Sequence, residues 1–263
     1  MNHCRVYIFL IISVLLVSCE DLIDVNLNSA NPKIVVEADL NDLSAKQVIW
    51  VSRTVDFDSP VPSEPISGAV VSVADSKGRL FSFVDKGDGQ YVKEGFKPEI
   101  GLTYNLTVSI QGEEFKSSTK MNPFVSVDSL AVKEETIFNE PYYFVVLKFE
   151  DPKDVPNYYK YDISVNGGGF KFANAYNDKF NDGLYVSHQV ADRDNSLEVG
   201  DSVIVRRQCV AKEVYTYWNQ IQMLNPGSAA PANPTSNLSN GALGYFSVSS
   251  AKEYGVKIIK EEN

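Results

Sequence analysis

A strict alternation of apolar and polar residues between Thr103 and Ile110 constrains the fold more than any other feature of this sequence. Its apolar members are Tyr104, Leu106, Val108 and Ile110. A two-residue period is that of a β-strand, in which successive side chains point to opposite faces of the sheet. The pattern therefore predicts an amphipathic strand with one face buried in a core and the other exposed to solvent.

Similar short runs fill the rest of the first half of the chain. They cover residues 34–38, 48–54, 70–74, 80–84, 91–93 and 115–120. Turn residues separate them, as in Ser76-Lys77-Gly78 and Gly87-Asp88-Gly89, and such residues are typical of hairpin loops. Seven short strands at this spacing predict a β-sandwich over residues 31–121.

A second block of strand patterns begins after Met121-Asn122-Pro123, because proline interrupts a strand ladder. The expected strands are residues 125–132, 143–149, 159–165, 203–205, 245–248 and 256–259. We expect this block, residues 122–263, to form a separate β-rich domain that shares little core with the first. The predicted fold class is therefore mainly all-β, with two β-sandwich-like domains.

One helix is predicted in the second block, over residues 212–224. Its apolar side chains fall on a single stripe, formed by Val214, Tyr217, Trp218, Ile221 and Leu224. Asn225-Pro226-Gly227 ends the helix, because proline cannot continue it. The stripe predicts a helix that packs onto the second sheet. The alternative to packing on the sheet is that Trp218 stacks on a ligand.

Residues 1–18 resemble the signal peptide of a bacterial lipoprotein. The apolar run 6–17 is shorter than the roughly 20 residues that a membrane-spanning helix needs, and it fits the apolar region of a signal peptide. The run ends in Leu16-Val17-Ser18-Cys19, which resembles a lipobox. This resemblance implies cleavage before Cys19 and a diacylglycerol and palmitate anchor on its sulfur. An ordinary signal peptide with a chance cysteine is the alternative.

Residues 19–30 are interpreted as a lipidated tether. Glu20 and Asp21 follow Cys19 directly, and acids at this place resemble the signal that sends lipoproteins to the outer face in the Bacteroidota. We therefore expect a protein that is lipid-anchored in the outer membrane and faces the cell exterior. A solvated tether without a targeting role is the alternative.

The charge of the chain excludes one class of partner. It has 34 acidic and 24 basic side chains, a formal net charge of −10. Nucleic-acid binding depends on lysine and arginine side chains that neutralise phosphates. We therefore expect no nucleic-acid partner.

Few residues remain for catalysis once the signal peptide is removed. His188 is then the one histidine, and Cys19 and Cys209 are the cysteines. A serine or cysteine nucleophile usually needs a histidine base, and zinc sites need several cysteine or histidine ligands. Cys209 follows a strand pattern, so we expect it in the core. We expect no enzymatic activity and no cofactor, although a pair of carboxylates as in glycoside hydrolases stays open.

Acidic loops are the other possible source of a metal site. Asp192, Asp194 and Ser196 match the first ligand positions of a calcium-binding EF-hand loop, but Leu197 stands where that loop needs glycine. Asp178 and Asp182 give no better pattern. The sequence therefore predicts no metal site.

The segment from Gly169 to Tyr185 interleaves aromatic rings with amide side chains. Its candidate ligand-binding residues are Phe170, Phe172, Asn174, Tyr176, Phe180 and Tyr185. Flat apolar surfaces next to directional hydrogen-bond donors suit glycans and peptides. The alternative is a long connection whose aromatic side chains cover the core.

Two family resemblances follow from segments of the sequence. Ser67–Val73, Gly78, Asp88–Tyr91 and Gly101–Tyr104 together resemble the transthyretin-like or carboxypeptidase-regulatory-like β-sandwich. The second resemblance is to the Bacteroidota lipoprotein family known as domain of unknown function 4249. It rests on the order of six segments: the lipobox, Ile34–Ala38, Val51–Thr54, Ser67–Val73, Tyr215–Trp218 and Asn233–Phe246. This resemblance implies that a TonB-dependent outer-membrane receptor is encoded beside this protein. It supplies no catalytic residues.

Three functions are compatible with these observations. The first is a surface lipoprotein that binds a ligand, or docks on a TonB-dependent receptor, as an accessory in nutrient uptake. The second is a surface hydrolase of glycans or peptides that uses a carboxylate pair. The third is a structural adhesin or filament component, which would present an open edge strand.

Overall fold

A computed structural model describes residues 32–56, 59–224 and 233–260 of the chain. The predicted signal peptide, Cys19 and the tether lie outside these residues. Contacts between residues join Pro32–Val55 and the described residues from Pro60 onwards in one compact unit. None of the helices in the described ranges is long and apolar enough to cross a membrane.

The first half of the chain forms a β-sandwich. Its strands are β1 (Ile34–Asn41), β2 (Gln47–Arg53), β3 (Glu64–Pro65), β4 (Val70–Asp75), β5 (Leu80–Asp85), β6 (Gln90–Lys93), β7 (Thr103–Ile110) and β8 (Glu113–Lys120). They are ordered β1-β2-β6-β5-β4-β7-β8, and β3 pairs with β2. Buried residues of β2, β5 and β7, such as Ile49, Phe83 and Leu106, pack together in one core. The strand that was predicted from the alternation at Thr103–Ile110 is β7.

The second half builds a second sandwich. Its elements are β9 (Ser129–Ile137), β10 (Glu140–Glu150), β11 (Tyr158–Val165), β12 (Lys171–Asn177), β13 (Tyr185–Val190), β14 (Ser202–Cys209), α1 (Lys212–Met223) and β15 (Leu243–Lys257). The sheet β13-β10-β9 shares a core with β12-β11-β14-β15, and this core includes Leu147, Tyr161 and Val205. The prediction of an all-β fold with one packed helix is confirmed.

Strand β15 belongs to both sandwiches. Its first half runs parallel to β1, and its second half runs antiparallel to β14. Phe246 and Val248 are therefore buried in the first core, while Val256 packs against the second. The expected boundary at Asn122-Pro123 does not separate the two cores, because Leu238 and the residues after it complete the first one. The local sequence period cannot reveal the pairing of β1 with β15, because the two strands lie some 200 residues apart in the chain.

The strands of the second block differ from their predicted bounds, most clearly at the start of β9 and in β15. Residues 125–128 are not part of β9, although a strand over 125–132 was expected. The Val125 carbonyl accepts a hydrogen bond from Arg207, and its N–H donates to the Cys209 sulfur at 3.4 Å. Its backbone groups are thus bonded to side chains instead of a neighbouring strand. The strands expected over 245–248 and 256–259 belong to one continuous strand, β15, which ends at Lys257.

Helix α1 lies within one residue of its predicted bounds and packs as predicted. Trp218 stacks on Phe172 of β12 with 4.4 Å between ring centroids. Tyr217 lies against Tyr245 of β15 at 5.0 Å. The apolar stripe therefore packs on the outer face of the sheet, and Trp218 is one of its packing residues. Leu224, the last predicted member of the stripe, follows the helix and is exposed.

Candidate functional site

The exposed face of β1 carries acidic residues in the middle of the longest sheet. Val36, Ala38 and Leu40 are buried in the first core, so Glu37 and Asp39 point to the opposite face. Glu37 has Trp50 of β2 as its neighbour on one side and Tyr245 of β15 on the other. A carboxylate is thus placed between two aromatic side chains on three adjacent strands.

A groove with a volume of about 490 Å³ opens over this row. Acidic, aromatic and basic side chains line it together: Glu37, Asp39, Asn41, Leu43, Ser44, Lys46, Gln47, Val48, Trp50, Arg206 and Tyr245. Trp50 is 45% exposed, which is unusual for so large an apolar side chain, whereas Tyr245 is buried. Among the described residues, no hydrogen bond or ion pair holds the Glu37 carboxylate. Trp50 and Glu37 are therefore open to a ligand.

A buried ionic network fixes the second acid of the groove. The Lys160 ammonium group lies 3.0 Å from Asp39 Oδ2 and 2.7 Å from both oxygens of Asp162. Gln208 accepts a hydrogen bond from Lys160 at 2.9 Å and donates to Asp39 Oδ1 at 2.7 Å. Both Asp39 oxygens are occupied, so this side chain is rigid before any ligand arrives.

The electrostatics of the network keep Lys160 charged. Burial by itself lowers the pKa of Lys160, but the charges of Asp162 and Asp39 outweigh it and raise the pKa. Trp218 adds a cation–π contact, with the ammonium nitrogen 4.9 Å from the ring centroid. Burial also raises the pKa of the Tyr245 hydroxyl, so that this group stays a neutral hydrogen-bond donor.

Arg206 forms the wall of the groove that belongs to the second sandwich. Its guanidinium donates two hydrogen bonds to Glu253 Oε1, at 2.8 and 3.0 Å. It also lies 3.7 Å from the ring centroid of Phe170. Phe170, one of the residues predicted from the sequence, therefore supports the groove through Arg206.

The other residues of the predicted aromatic segment do not form one surface. Phe172 packs under helix α1, and Tyr176 stacks on His188 inside the second core, with 4.2 Å between ring centroids. Phe180 and Tyr185 are exposed, at 82% and 62%. The Asn174 amide oxygen is buried without a hydrogen bond. The alternative interpretation, in which the aromatic side chains cover the core, describes Phe172 and Tyr176, and the segment contains β12 instead of a long connection.

A bulge explains why these residues separate. The pairing of β11 with β12 shifts between Tyr161, opposite Asn174, and Asp162, opposite Phe172. Phe172 therefore shares a face with Asp162 and helix α1, while Tyr176 faces the core. Without the bulge, Phe172 and Tyr176 would lie on the same face of β12, because they are separated by an even number of residues.

Sequence reasoning missed Glu37, Asp39 and Trp50. A usable signal was present in β2, where Trp50 lies between Ile49 and Val51, both of which are buried. A tryptophan at the solvent-facing phase of an alternating strand points to a contact surface. On β1, the residues on this solvent-facing side of the sheet are Glu37 and Asp39.

His188 and Cys209 belong to the core. The His188 Nδ1 atom is hydrogen-bonded to the Tyr161 hydroxyl at 2.8 Å, and Arg207 donates to the same hydroxyl at 3.1 Å. Burial, followed by the charge of Arg207, lowers the pKa of His188 to about 3. Burial raises the pKa of the Cys209 thiol. A neutral, enclosed imidazole and a protonated, enclosed thiol do not offer an accessible base or nucleophile.

A second and larger cavity, of about 780 Å³, lies beside β8. Its polar groups already bond each other: the Asn240 amide donates to the Glu114 carbonyl at 2.6 Å, and the Lys116 N–H donates to Ser239 at 2.8 Å. These bonds attach the segment before β15 to the first sandwich. The groove at Trp50 is the better candidate for ligand binding, because its aromatic ring is exposed and its Glu37 carboxylate has no hydrogen bond or ion pair within the described ranges.

The fold and the groove define an all-β protein of two sandwiches with an aromatic and acidic groove on the shared sheet. A model of the family described as "Domain of unknown function (DUF4249)" matches residues 20–254, and the chain belongs to this family. No curated protein matches the chain. Among solved structures, the chain is similar to a two-fibronectin type-III domain segment from chicken tenascin, with 11% identity and a TM-score of 0.26 over 87% of this chain and 100% of that one.

Proposed function

We propose that this protein is a surface-exposed lipoprotein that binds a glycan or peptide in the groove at Trp50, as an accessory of a TonB-dependent receptor in nutrient uptake. The observation that carries the proposal is the exposed Trp50 ring beside the Glu37 carboxylate, which no side chain of the described residues pairs with. An aromatic face next to a directional acceptor suits the apolar face and the hydroxyl or amide donors of such ligands.

The rigidity of the groove supports binding. Asp39 is held by Lys160 and Gln208, and Arg206 is held by Glu253. When the polar groups of a site are already oriented, less conformational entropy is lost on binding of the ligand. Glu37 and Trp50 would supply the contacts that form only in the complex.

The location in the proposal rests on the amino-terminal sequence. The lipobox at Leu16–Cys19 and the acids after it resemble those of exported lipoproteins, and the family resemblance supports a receptor partner. Metabolic labelling with a fatty-acid probe tests the anchor. The wild type is expected to carry the label and Cys19→Ser to lose it, together with its sedimentation with membranes; a labelled Cys19→Ser protein would contradict this part of the proposal.

The partner is tested by affinity purification of a tagged form from detergent-solubilised outer membrane. Recovery of a TonB-dependent receptor with the wild type is the expected result. The Trp50→Ala variant separates the two contacts: it is expected to lose the ligand while it still recovers the receptor. A preparation that contains no such receptor would contradict the accessory role.

A hydrolase is the second candidate, because the groove holds two acids. Glu37 and Asp39 stand two residues apart on one face of β1, which places their Cα atoms roughly 7 Å apart. Glycoside hydrolases also use pairs of carboxylates. However, both Asp39 oxygens are engaged by Lys160 and Gln208, which favours a fixed binding role. Steady product release that Glu37→Gln abolishes would favour the hydrolase over the binding protein.

A further inference from the structure

Three carboxylates meet at one end of the second sandwich, away from the groove residues. Asp151 directly follows β10, Asp178 directly follows β12, and Asp182 lies shortly before β13. Backbone hydrogen bonds hold the loops together: the Asp151 N–H donates to the Leu184 carbonyl at 2.9 Å, and the Asp178 N–H donates to the Asn157 carbonyl at 3.3 Å. The acids therefore come from two loops that the strand ends bring side by side.

The three side chains approach closely in spite of their like charges. One carboxylate oxygen from each of Asp151, Asp178 and Asp182 lies within 4.8 Å of the others. Among the described residues, none of the ion pairs between side chains involves any of the three. The repulsion between them is thus not relieved by lysine or arginine.

Asp151 supplies an independent sign of a ligand. Its side chain is buried, with the residue only 2% exposed. Among the described residues, the Tyr159 hydroxyl donates to its Oδ1 at 2.5 Å and the Gly183 N–H lies near the carboxylate, whereas no hydrogen bond of normal geometry reaches the buried Oδ2. A buried carboxylate oxygen without a donor is costly, so a cation beside it would remove a large penalty.

The two other acids are oriented in the same way. Asp178 accepts the Asn157 N–H through Oδ2 at 2.6 Å, and Asp182 accepts the Asp154 N–H through Oδ1 at 2.8 Å. In the described part of the chain, neither Asp178 Oδ1 nor Asp182 Oδ2 takes part in a hydrogen bond. Each acid of the cluster therefore has one oxygen held by the protein and a second one free.

We propose that Asp151, Asp178 and Asp182 bind a Ca²⁺ ion. Ca²⁺ takes oxygen ligands at about 2.3–2.6 Å, so two oxygens on one ion can be up to roughly 5 Å apart. One oxygen of each of the three side chains lies within this span of the others. Carbonyl groups and water complete the six to eight ligands that the ion commonly takes. Mg²⁺ demands a near-ideal octahedron at about 2.0–2.1 Å and gives up its water reluctantly, so a cluster of three protein carboxylates favours Ca²⁺.

The acids that the sequence pattern had suggested lack these properties. Asp192 and Asp194 lie 3.9 and 3.2 Å from the Lys171 ammonium group, which neutralises part of their charge. They therefore provide a matched control on the same sandwich. Sequence spacing could not reveal the cluster, because Asp151 is 27 residues from Asp178 along the chain.

The test measures thermal unfolding of the full chain after chelator treatment, with Ca²⁺ or Mg²⁺ added back. At a hundredfold excess over its dissociation constant, Ca²⁺ is expected to raise Tm by roughly 5–10 °C. The Asp182→Asn variant, whose side chain is exposed and keeps an acceptor for Asp154, should weaken Ca²⁺ binding by about tenfold or more. Asp194→Asn should bind like the wild type.

A second readout separates binding from stability. Tb³⁺ is a hard cation that takes oxygen ligands, and its luminescence can be excited through Tyr159, which is bonded to Asp151. The wild type and Asp194→Asn are expected to sensitise Tb³⁺, and Ca²⁺ should displace it. The proposal is overturned if Ca²⁺ shifts neither Tm nor the Tb³⁺ signal, if Asp182→Asn binds as well as the wild type, or if Mg²⁺ stabilises more than Ca²⁺.

Discussion

The ammonium group of Lys160 lies 3.0 Å from the Asp39 carboxylate, although 121 residues separate them in the chain. Lys160 stands on β11 of the second sandwich and Asp39 on β1 of the first, with β14 and β15 between them in the sheet order. This contact links the two cores through one polar network. It also orients an acid of the groove, so the fold and the candidate site depend on the same residues.

Removal of the Lys160 charge is expected to destabilise the protein strongly. Lys160→Met leaves the buried Asp162 without its cation, and the loss of one partner of a buried pair costs about 3–5 kcal/mol. Urea unfolding measures this cost. Lys116→Met removes an exposed pair with Glu114 and should change stability by less than about 1 kcal/mol. Equal effects of the two substitutions would contradict the role given to the network.

Two glycines of β15 should respond to alanine in opposite ways. Gly244 has a φ of +88°, and a Cβ there would lie 2.1 Å from the Val36 carbonyl oxygen on β1. Gly244→Ala is therefore expected to cost roughly 3 kcal/mol or more. At Gly255, no atom lies within 4 Å of an added Cβ, so Gly255→Ala should be neutral or stabilise by up to about 1 kcal/mol. Denaturant titration compares them, and a tolerant Gly244 would refute the close pairing of β1 with β15.

His188 is expected to make the fold sensitive to acid. Its pKa is about 3 in the folded protein, because burial and the Arg207 charge disfavour the imidazolium, whereas the unfolded chain has a value of about 6.5. The unfolded state therefore gains protons first, and stability falls as the pH drops from about 6.5 towards 3. This linkage corresponds to roughly 2 kcal/mol between pH 7 and pH 5.

The histidine contribution can be isolated by substitution. Unfolding free energies of the wild type and His188→Gln are measured across this pH range, and the variant should lose less stability between pH 7 and pH 5. Parallel pH profiles for the two proteins would show that His188 does not titrate as the buried geometry requires.

The Cys209 thiol should resist modification in the folded protein. The residue is 3% exposed, and burial raises the pKa of its thiol, so little reactive thiolate is present. A thiol reagent is expected to modify it at least about a hundredfold more slowly in buffer than in denaturant. Cys209→Ala provides the blank. Fast modification without denaturant would place the thiol at the surface instead of in the second core.

The sequence period predicted the strands well where one face is buried and the other is exposed. β7 alternates in this way, and helix α1 follows from its apolar stripe. The alternation in β11 predicted a strand, but the polar side chains of its second face, such as Lys160 and Asp162, are buried as well. What the period could not show are the pairings between distant segments. β15 completes both cores, and the bulge opposite Tyr161 moves Phe172 away from Tyr176.

The candidate sites depend on the same long-range pairings. Glu37 and Trp50 face Tyr245 only because β15 adds to β1, and Asp151 meets Asp178 only because four strand ends converge. Spacing along the chain carries none of this information. The one local sign was Trp50, a large apolar side chain at a solvent-facing position of β2. It indicated a contact surface but not which residues of other strands complete that surface.

The most direct test of the proposed groove is the binding of the purified protein to a panel of glycans and peptides. Trp50→Ala removes the exposed ring of the groove, and Phe180→Ala removes an exposed ring outside it. For the ligand that the wild type binds best, Trp50→Ala should weaken the Kd by about thirtyfold, as expected for a central aromatic contact, while Phe180→Ala should change it by less than about twofold. Unchanged binding by Trp50→Ala, or a loss with Phe180→Ala alone, would contradict the account.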